Sequence, residues 1–343
     1  MQFFAICITL FQIRKGKEIM KDFRGKVAFI TGGASGAGFG QAKVFSEAGC
    51  KVVIADIRKD HLDEAKAYFR EKKVKVHTIQ LDITDRKAYT EAADEVEKVY
   101  GSPPQLLFNT AGVNAFGPGE ASTFEDFDWI MGVDLGGVIN GMVIFVPRMI
   151  KAGKGGHIVS VASMGGFMPG PTTTPYSTAK AAVIMLMQCY YQSLKKYGIG
   201  VSCVCPGGIK SNIGESSYTR PKRLENTGYN TTEKTIAFMR HHYSFGIEPV
   251  ELAQIVKKGI ENEQFLIIPS PEPEKMLREN FERIINYASP EGMKRQEELD
   301  RKRREEMRKR MGEIKEGPLA GAREAGWGRA RPDLTWVKDE GFN

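Results

Sequence analysis

The 343-residue chain has few cysteines, and they form no arrangement that does chemistry. Cys7, Cys50, Cys189, Cys203 and Cys205 include no CxxC pair, and none has a histidine at metal-ligand spacing. That argues against a zinc module or a disulfide scaffold and leaves five thiols expected to lie buried in a reducing, cytoplasmic protein. A basic stripe interleaved with aromatics is also missing, although the formal charge is +7; much of the excess lies near the start and in the C-terminal region. Nucleic-acid binding is therefore not indicated. Nor does the first stretch, Met1 to Met20, offer the apolar run of roughly 20 residues that a membrane span needs. The run from Phe3 to Phe11 is shorter, and Arg14, Lys15 and Lys17 follow it, where a signal peptide would place them before it. No internal repeat is evident.

What is present reads as globular: 41% hydrophobic and 27% charged residues, in a chain long enough for one large domain with appendages. Met20-Lys21-Asp22-Phe23 leads directly into the first strand, so residues 1–19 are expected to be an upstream extension or a disordered arm. From there apolar runs and helical periods alternate. Strands are expected at Val27–Thr31, Val52–Ala55, Val76–Leu81, Leu106–Asn109, His157–Ala162, Val201–Cys205 and Phe265–Ile268. Helices are expected over Gln41–Ala48, Lys59–Glu71, Arg86–Tyr100, Thr123–Lys151, Tyr176–Tyr197 and Val250–Glu263. Thr123 is the expected N-cap of the long helix, with Asp126 standing in for the Glu or Gln of a capping box and Pro147 kinking the last turns.

Alternation of this kind means parallel strands with right-handed helical crossovers, an α/β doubly wound sheet of about seven strands flanked by helices. The domain is expected to span 20–272, with a lid or binding loop at 211–248, where signals are mixed and aromatics frequent. Residues 273–343 are expected to form a charged helical extension, densest over Glu291–Glu316, and an irregular tail. Trp327 and Trp336 in that tail would either dock on a neighbouring subunit or belong to a loosely ordered terminus.

Three motifs carry chemistry. Thr31-Gly32-Gly33-Ala34-Ser35-Gly36-Ala37-Gly38 reads TGxxxGxG between a strand and a helix, a turn that lets backbone N–H groups and a helix N-terminus approach a pyrophosphate. Asp56 ends the second strand 24 residues after Gly32, close to the roughly 20-residue spacing of a ribose-binding acid. A carboxylate there accepts from ribose hydroxyls and repels a 2′-phosphate, which favours NAD over NADP; Arg58 works against that preference. Finally, Tyr176-Ser177-Thr178-Ala179-Lys180 sets a phenol and an ammonium four residues apart on one helix face, where the ammonium would lower the phenol pKa from roughly 10. A proton-transfer catalyst and an ordinary surface helix both satisfy that spacing.

In this order the motifs resemble the short-chain dehydrogenase/reductase family, over about Gly25 to Pro269. The resemblance rests also on Asp82 after the third strand, on Asn109-Thr110-Ala111-Gly112 where the family has NNAG, and on Pro206-Gly207. Ser163 precedes Tyr176 by 13 residues, the family's spacing between catalytic serine and tyrosine. The resemblance implies a single Rossmann domain with Ser163, Tyr176 and Lys180 as catalytic residues. It implies a dinucleotide met by Gly32, Ser35, Gly36, Gly38, Asp56, Asp82, Ile83, Asn109, Ala111, Gly112, Tyr176, Lys180, Pro206, Gly207, Ile209 and Ser211. Asp134, in Asp134-Leu135-Gly136-Gly137-Val138, stands where the family has a catalytic Asn; as a fourth catalytic residue it would hold a relay water, as an acceptor only. Family members commonly pair through long helices, which implies a homodimer or homotetramer, and no metal is implied.

The implied activity is hydride transfer between NAD and a secondary alcohol or its ketone, with Tyr176 as general base or acid. Phe116, Phe167 and Met168 near the strand ends, with Tyr218, Tyr229, Phe238, Met239, Tyr243 and Phe245 in the lid, suggest a roomy apolar pocket for a bulky aromatic small molecule. The stretches 29–40, 126–130 and 209–213 are similar to those of bacterial NAD-dependent Cα-dehydrogenases of lignin-type β-aryl ethers. The alternatives are a non-catalytic dinucleotide-sensing or interaction protein, motivated by Asp134 and the charged extension, and an NADPH-dependent ketoreductase, against which Asp56 argues.

Overall fold

Strand β1 (Val27–Thr31) is buried along its whole length and pairs in parallel on both sides, with β2 (Lys51–Asp56) and with β4 (Leu106–Asn109). Its neighbours in sequence and in space therefore part company: β3 (Val76–Gln80) continues outward from β2, while β5 (Gly156–Val161), β6 (Ile199–Val204) and β7 (Leu266–Ile267) continue outward from β4. The sheet runs β3-β2-β1-β4-β5-β6-β7, all parallel. Strand order reverses between β1 and β4, and in a parallel sheet the crevice beyond the carboxyl ends at such a point is where ligands bind. The register aligns Thr31 with Asn109, Asn109 with Ser160 and Ser160 with Cys203, so the strand ends form one edge.

The computed structural model describes residues 20–269, 274–287 and 290–313. The chain divides into two compact units, ending and beginning at Glu272 and Pro273. Cys7, the segment 1–19, and the tail with Trp327 and Trp336 lie outside the described residues.

Both faces of the sheet carry helices: α1 (Gly36–Glu47), α2 (Lys59–Glu71), α3 (Arg86–Tyr100), α4 (Phe124–Ala152), α5 (Thr174–Leu194), α6 (Glu233–Tyr243) and α7 (Pro249–Glu261). One buried cluster joins β1, β2, β4 and β5 to Phe45, Phe69, Leu252 and Ile260; another gathers Trp129, Ile130 and Ala179 with Leu224 and Tyr229 of the 211–248 segment; Phe29, Tyr89 and Phe145 pack together as well. Helix α3 starts where Asp85 accepts from the backbone of Lys87 and Ala88, and ends at Gly101 with φ +70°. The expected capping box of α4 is present, with Thr123 Oγ1 accepting from Asp126 N at 3.2 Å and Asp126 Oδ2 from Thr123 N at 3.0 Å. Among the described residues α4 alone is long and apolar enough to cross a bilayer, but its Trp129, Met142, Phe145 and Met149 are buried against the rest of the unit.

Three sequence expectations change. Helix α1 begins at Gly36 rather than Gln41, because the second half of the glycine motif already belongs to its first turn. The long helix is interrupted by a π turn, Gly132–Gly136, which inserts an extra residue and turns Asp134 inward. Cys189 is exposed on α5, while Cys50, Cys203 and Cys205 are buried as expected. In the second unit, α8 (Glu274–Tyr287) and α9 (Pro290–Glu313) carry i,i+4 ion pairs such as Arg278–Glu274 at 3.0 Å and Lys302–Glu298 at 2.8 Å.

His157, at the second position of β5, is buried, with Nε2 2.8 Å from Ser202 Oγ. Ser202 gives its own proton to the Gln264 carbonyl at 2.6 Å, so His157 donates through Nε2 and is neutral. Burial pushes its pKa down to about 3. The folded pKa lies below the unfolded value of roughly 6.5, so this group's stabilising contribution is present above that pH and is lost as pH falls toward about 3. Thermal melts between neutral and acid pH are expected to fall more steeply for the wild type than for His157→Gln; parallel curves would contradict the assignment.

Candidate active site

The first βα turn determines how closely another chain or ligand can approach. Gly32 has φ +63°, and a Cβ at Gly38 would lie 2.1 Å from the Gly32 carbonyl oxygen, so no side chain fits where α1 begins. Thr31 Oγ1 fastens this turn to the next strand: it donates to Phe108 O at 3.2 Å and accepts from Thr110 N at 3.0 Å and Ala111 N at 3.2 Å. Thr110, standing where the resemblance expects Asn, donates instead to Gln41 Oε1 of α1 at 2.7 Å. The result is a cavity of about 510 Å³ along the carboxyl edge of the sheet.

Most of the predicted cofactor residues line this cavity. Gly32, Ser35, Gly36 and Gly38 contribute the floor of the turn, and Asp56, Asp82, Ile83, Ala111 and Gly112 follow along the strand ends. Pro206, Gly207, Ile209 and Ser211 close the far side. Asp56 Oδ2 accepts from Ala34 N at 3.2 Å and Oδ1 from Arg58 N at 3.0 Å; burial pushes its carboxyl above the usual value, against the pull of those N–H groups. Asp82 Oδ1 accepts from both the backbone and the hydroxyl of Thr84, at 2.9 and 2.7 Å. Ile83 packs under Gly137 of α4, and its carbonyl takes a hydrogen bond from Asn140 at 2.8 Å.

Asn109 stands apart from the others. It does not line the cavity: it is buried beneath the sheet end and donates to Ser160 Oγ at 3.1 Å and toward Met142 Sδ at 3.6 Å. Strand register brings it to the right edge, but its side chain serves the interior.

Ser163, Tyr176 and Lys180 line one wall of the cavity. Ser163 Oγ follows β5 and accepts from Gly165 N at 3.0 Å, which leaves its own proton free to be donated. Tyr176 and Lys180 lie on successive turns of α5, with Nζ 5.5 Å from the phenol ring centre. Lys180 Nζ also donates to Val161 O at 3.1 Å and lies 3.2 Å from Asp134 Oδ2. Asp134 is fully buried behind the lysine, outside the cavity wall, and its Oδ1 accepts from Val113 N at 2.7 Å.

The electrostatics follow from that burial. Burial alone would push the Lys180 ammonium down, but the Asp134 carboxylate and the Tyr176 phenol outweigh it and hold the lysine above its ordinary value. Burial pushes the Asp134 carboxyl up, against Lys180 and the Val113 N–H. Tyr176 departs from the sequence expectation: burial raises its pKa, the Asp134 charge adds to that, and Lys180 with Ser163 offsets only part of it. The spacing correctly implied the pull of the ammonium but carried no information on burial.

The aromatic expectation holds for a minority of residues. Phe116, Met168 and Tyr243 line the cavity. Phe238 and Phe245 are exposed, as is Tyr218, whose hydroxyl donates to Glu233 at 3.0 Å. Tyr229 and Met239 are buried in lid packing, and Phe167 does not reach the wall. Two residues escaped the sequence reading. Arg220 reaches from the lid to Asp126 Oδ1 at 2.7 Å and stacks over Trp129, 4.9 Å from its ring centre, so the capping acid of α4 also anchors the lid. Asn114 lines the cavity from a loop without periodicity, where no pattern distinguishes it. Among the described residues no His, Cys, Asp and Glu cluster suits a metal.

The profile of the short chain dehydrogenase family matches residues 26–222. The C alpha-dehydrogenase of a Sphingobium species is 55% identical over 271 residues, covering 79% of this chain and 89% of that protein. Among solved structures, the apo form of LigD from Sphingobium aligns with a TM-score of 0.67 at 50% identity, over 78% of this chain and all of that one. A short chain dehydrogenase/reductase from Burkholderia phymatum in complex with NAD aligns with a TM-score of 0.73 at 29% identity, over 79% of this chain and 98% of that one.

Removing one partner of a buried ion pair strands the other charge and costs about 3–5 kcal/mol. Asp134→Leu is therefore expected to lower unfolding stability by about 3 kcal/mol in urea titrations, and Asp134→Asn by clearly less, because an amide oxygen still accepts from Val113 or Lys180. Equal losses would mean that the carboxylate charge, and not its acceptor role, is what matters.

Proposed function

The chain belongs to the short-chain dehydrogenase family and is an NAD(P)-dependent oxidoreductase of alcohols; on that premise we propose that it transfers hydride between NAD and a bulky aromatic secondary alcohol or its ketone. The observation that carries this reading is the convergence of Ser163, Tyr176 and Lys180 on one wall of a cavity that has Asp56 and the glycine turn along its floor. When bound, the nicotinamide supplies the hydride acceptor or donor. Tyr176 exchanges the proton of the substrate oxygen, and Ser163, with Oγ already accepting from Gly165 N, spends its hydroxyl proton on that oxygen. Lys180 keeps a positive charge beside the phenol because Asp134 stabilises its protonated form.

NAD over NADP is supported by Asp56, an acid on the cavity floor, and by the engagement of a neighbouring cation, Arg58. Arg58 pairs with Asp60 and lies 3.9 Å from Glu215, so a 2′-phosphate would compete with two carboxylates for it. An aromatic secondary alcohol is supported by the apolar wall of Phe116, Trp129, Met164, Met168 and Tyr243, and by the identity to a protein called C alpha-dehydrogenase. Exposed Ile139 and Val143 of α4, with Met185 and Tyr191 of α5, support pairing of copies through these helices. The buried thiols Cys50, Cys203 and Cys205 suit a cytoplasmic setting.

A spectrophotometric screen of benzylic, steroid and aliphatic secondary alcohols with NAD or NADP tests the reading; tight NAD binding without turnover of any alcohol would favour a sensing role instead. Tyr176→Phe is expected to lose about 10²- to 10⁴-fold in kcat while NADH binding, followed by fluorescence, persists. Asp56→Ala is expected to erase the preference for NAD; an unchanged preference would place the discrimination elsewhere. Asp134→Asn is expected to keep or raise turnover, and a collapse there would show that catalysis requires the carboxylate.

A further inference from the structure

Arg58, at the N-cap of α2 two residues after Asp56, and Glu215, in the helical turn Asn212–Thr219 of the lid, both line the cavity. Two nitrogens of the guanidinium are spent on Asp60: Nε donates to its Oδ1 at 3.0 Å, and Nη2 pairs with its other oxygen. Nη1 is the third, and Glu215 Oε2 lies 3.9 Å from it. That is a contact between charges, too long for a hydrogen bond. Glu215 is fixed by its other oxygen, Oε1, which accepts from Arg240 Nε of α6 at 2.8 Å. The hydrogen bond to Asp60, followed by the charges of Asp60, Glu215 and Asp56, holds the Arg58 guanidinium above its ordinary value against the cost of burial.

A guanidinium is a planar fork that fits a phosphate bidentately, and an arginine close to the ribose acid accommodates a 2′-phosphate. Asp56 does not withhold this one, because it takes the backbone N–H of Arg58 and not the side chain. Asp60 is a weak rival to a phosphate: it lies outside the cavity wall, and water screens an exposed pair. Glu215 is the better buried of the two acids, its side chain 19% exposed against 58% for Asp60, and it shares the cavity wall with Arg58. We propose that Glu215 is a specificity-determining residue for the cofactor, a lid carboxylate, braced by Arg240, that engages the open end of the Arg58 fork and so withholds it from a 2′-phosphate. The inference rests on the NAD reading above. The two acids act differently: Asp56 favours NAD by accepting from ribose hydroxyls, whereas Glu215 disfavours NADP by competing for the arginine. Cofactor choice is thereby tied to the lid as well as to the sheet.

The test is a pair of fluorescence titrations, with NADH and with NADPH, at one ionic strength. The wild type is expected to bind NADH more tightly. In Glu215→Gln, which keeps the shape and removes the charge, that preference is expected to fall about tenfold, chiefly through tighter NADPH, because a charged competitor for the arginine is gone. Adding Arg58→Gln to that variant is expected to cancel the gain, since Glu215 acts through Arg58. Asp56→Ala with Glu215→Gln is expected to reverse the preference in favour of NADPH. A Glu215 that only braces the lid through Arg240 would leave the ratio of the two affinities intact, whatever it did to stability, and that result overturns the proposal. Arg58→Gln alone covers the case in which Glu215→Gln fails to fold: with the arginine already engaged, NADPH affinity is expected to change by less than about threefold, and a larger loss would show the arginine free to serve the phosphate, which also overturns it. A wild type that binds NADPH as tightly as NADH defeats the NAD reading and this proposal with it; a preference for NADH that Glu215→Gln leaves intact defeats the proposal alone.

Discussion

A buried ammonium is tolerated only where acceptors converge on it, and Lys180 is such a group. Its partners come from different elements: a carbonyl at the end of β5, a carboxylate from the middle of α4 and, through that carboxylate, an N–H of the loop after β4. The sheet edge, α4 and α5 must therefore be mutually placed for the lysine to be charged at all. The π turn has its explanation here. A regular α-helix would carry position 134 around its own axis, whereas the inserted residue returns it to the interior beneath Lys180.

Much of the scaffold was legible because its signals are local. Apolar runs locate all seven strands to within a residue or two, and Asp85 and Gly101 fix α3 at the expected ends. The glycine turn, Asp56, Ser163, Tyr176 and Lys180 could be read from spacing and order, and they meet in one cavity. What could not be read depends on burial and direction. Nothing in the pattern around Gly132 marks a π turn, since one extra residue leaves the apolar period almost undisturbed. Asn109 and Asn114 belong to one short stretch, yet one serves the interior and the other the cavity. The sign of the Tyr176 shift likewise depends on a competition between desolvation and charge that spacing does not encode.

The lid shows the same division. Aromatic content marked it as a binding segment, but Phe238, Phe245 and Tyr218 face outward and Tyr229 is spent on packing over Gly117. Charge ties it down as well: Arg220, lying over Trp129, pairs with Asp126 of α4, while Glu215 with Arg240 at 2.8 Å braces the segment internally. Polar anchorage of this kind leaves the apolar side chains of the wall free to be chosen for the ligand.

The ends of this lid meet. Ile209 and Ile247 form a parallel bridge, with Ile247 N donating to Gly208 O at 3.0 Å and Lys210 N to Ile247 O at 3.1 Å. Because the segment leaves and re-enters the scaffold at one point, its length and contents are mechanically insulated from the sheet. Lengthening such a closed excursion adds only a slowly growing closure entropy. The segment is thus a closed excursion, whose sequence and length can change with little consequence for the sheet edge that carries Ser163 and for the helix that carries Tyr176 and Lys180.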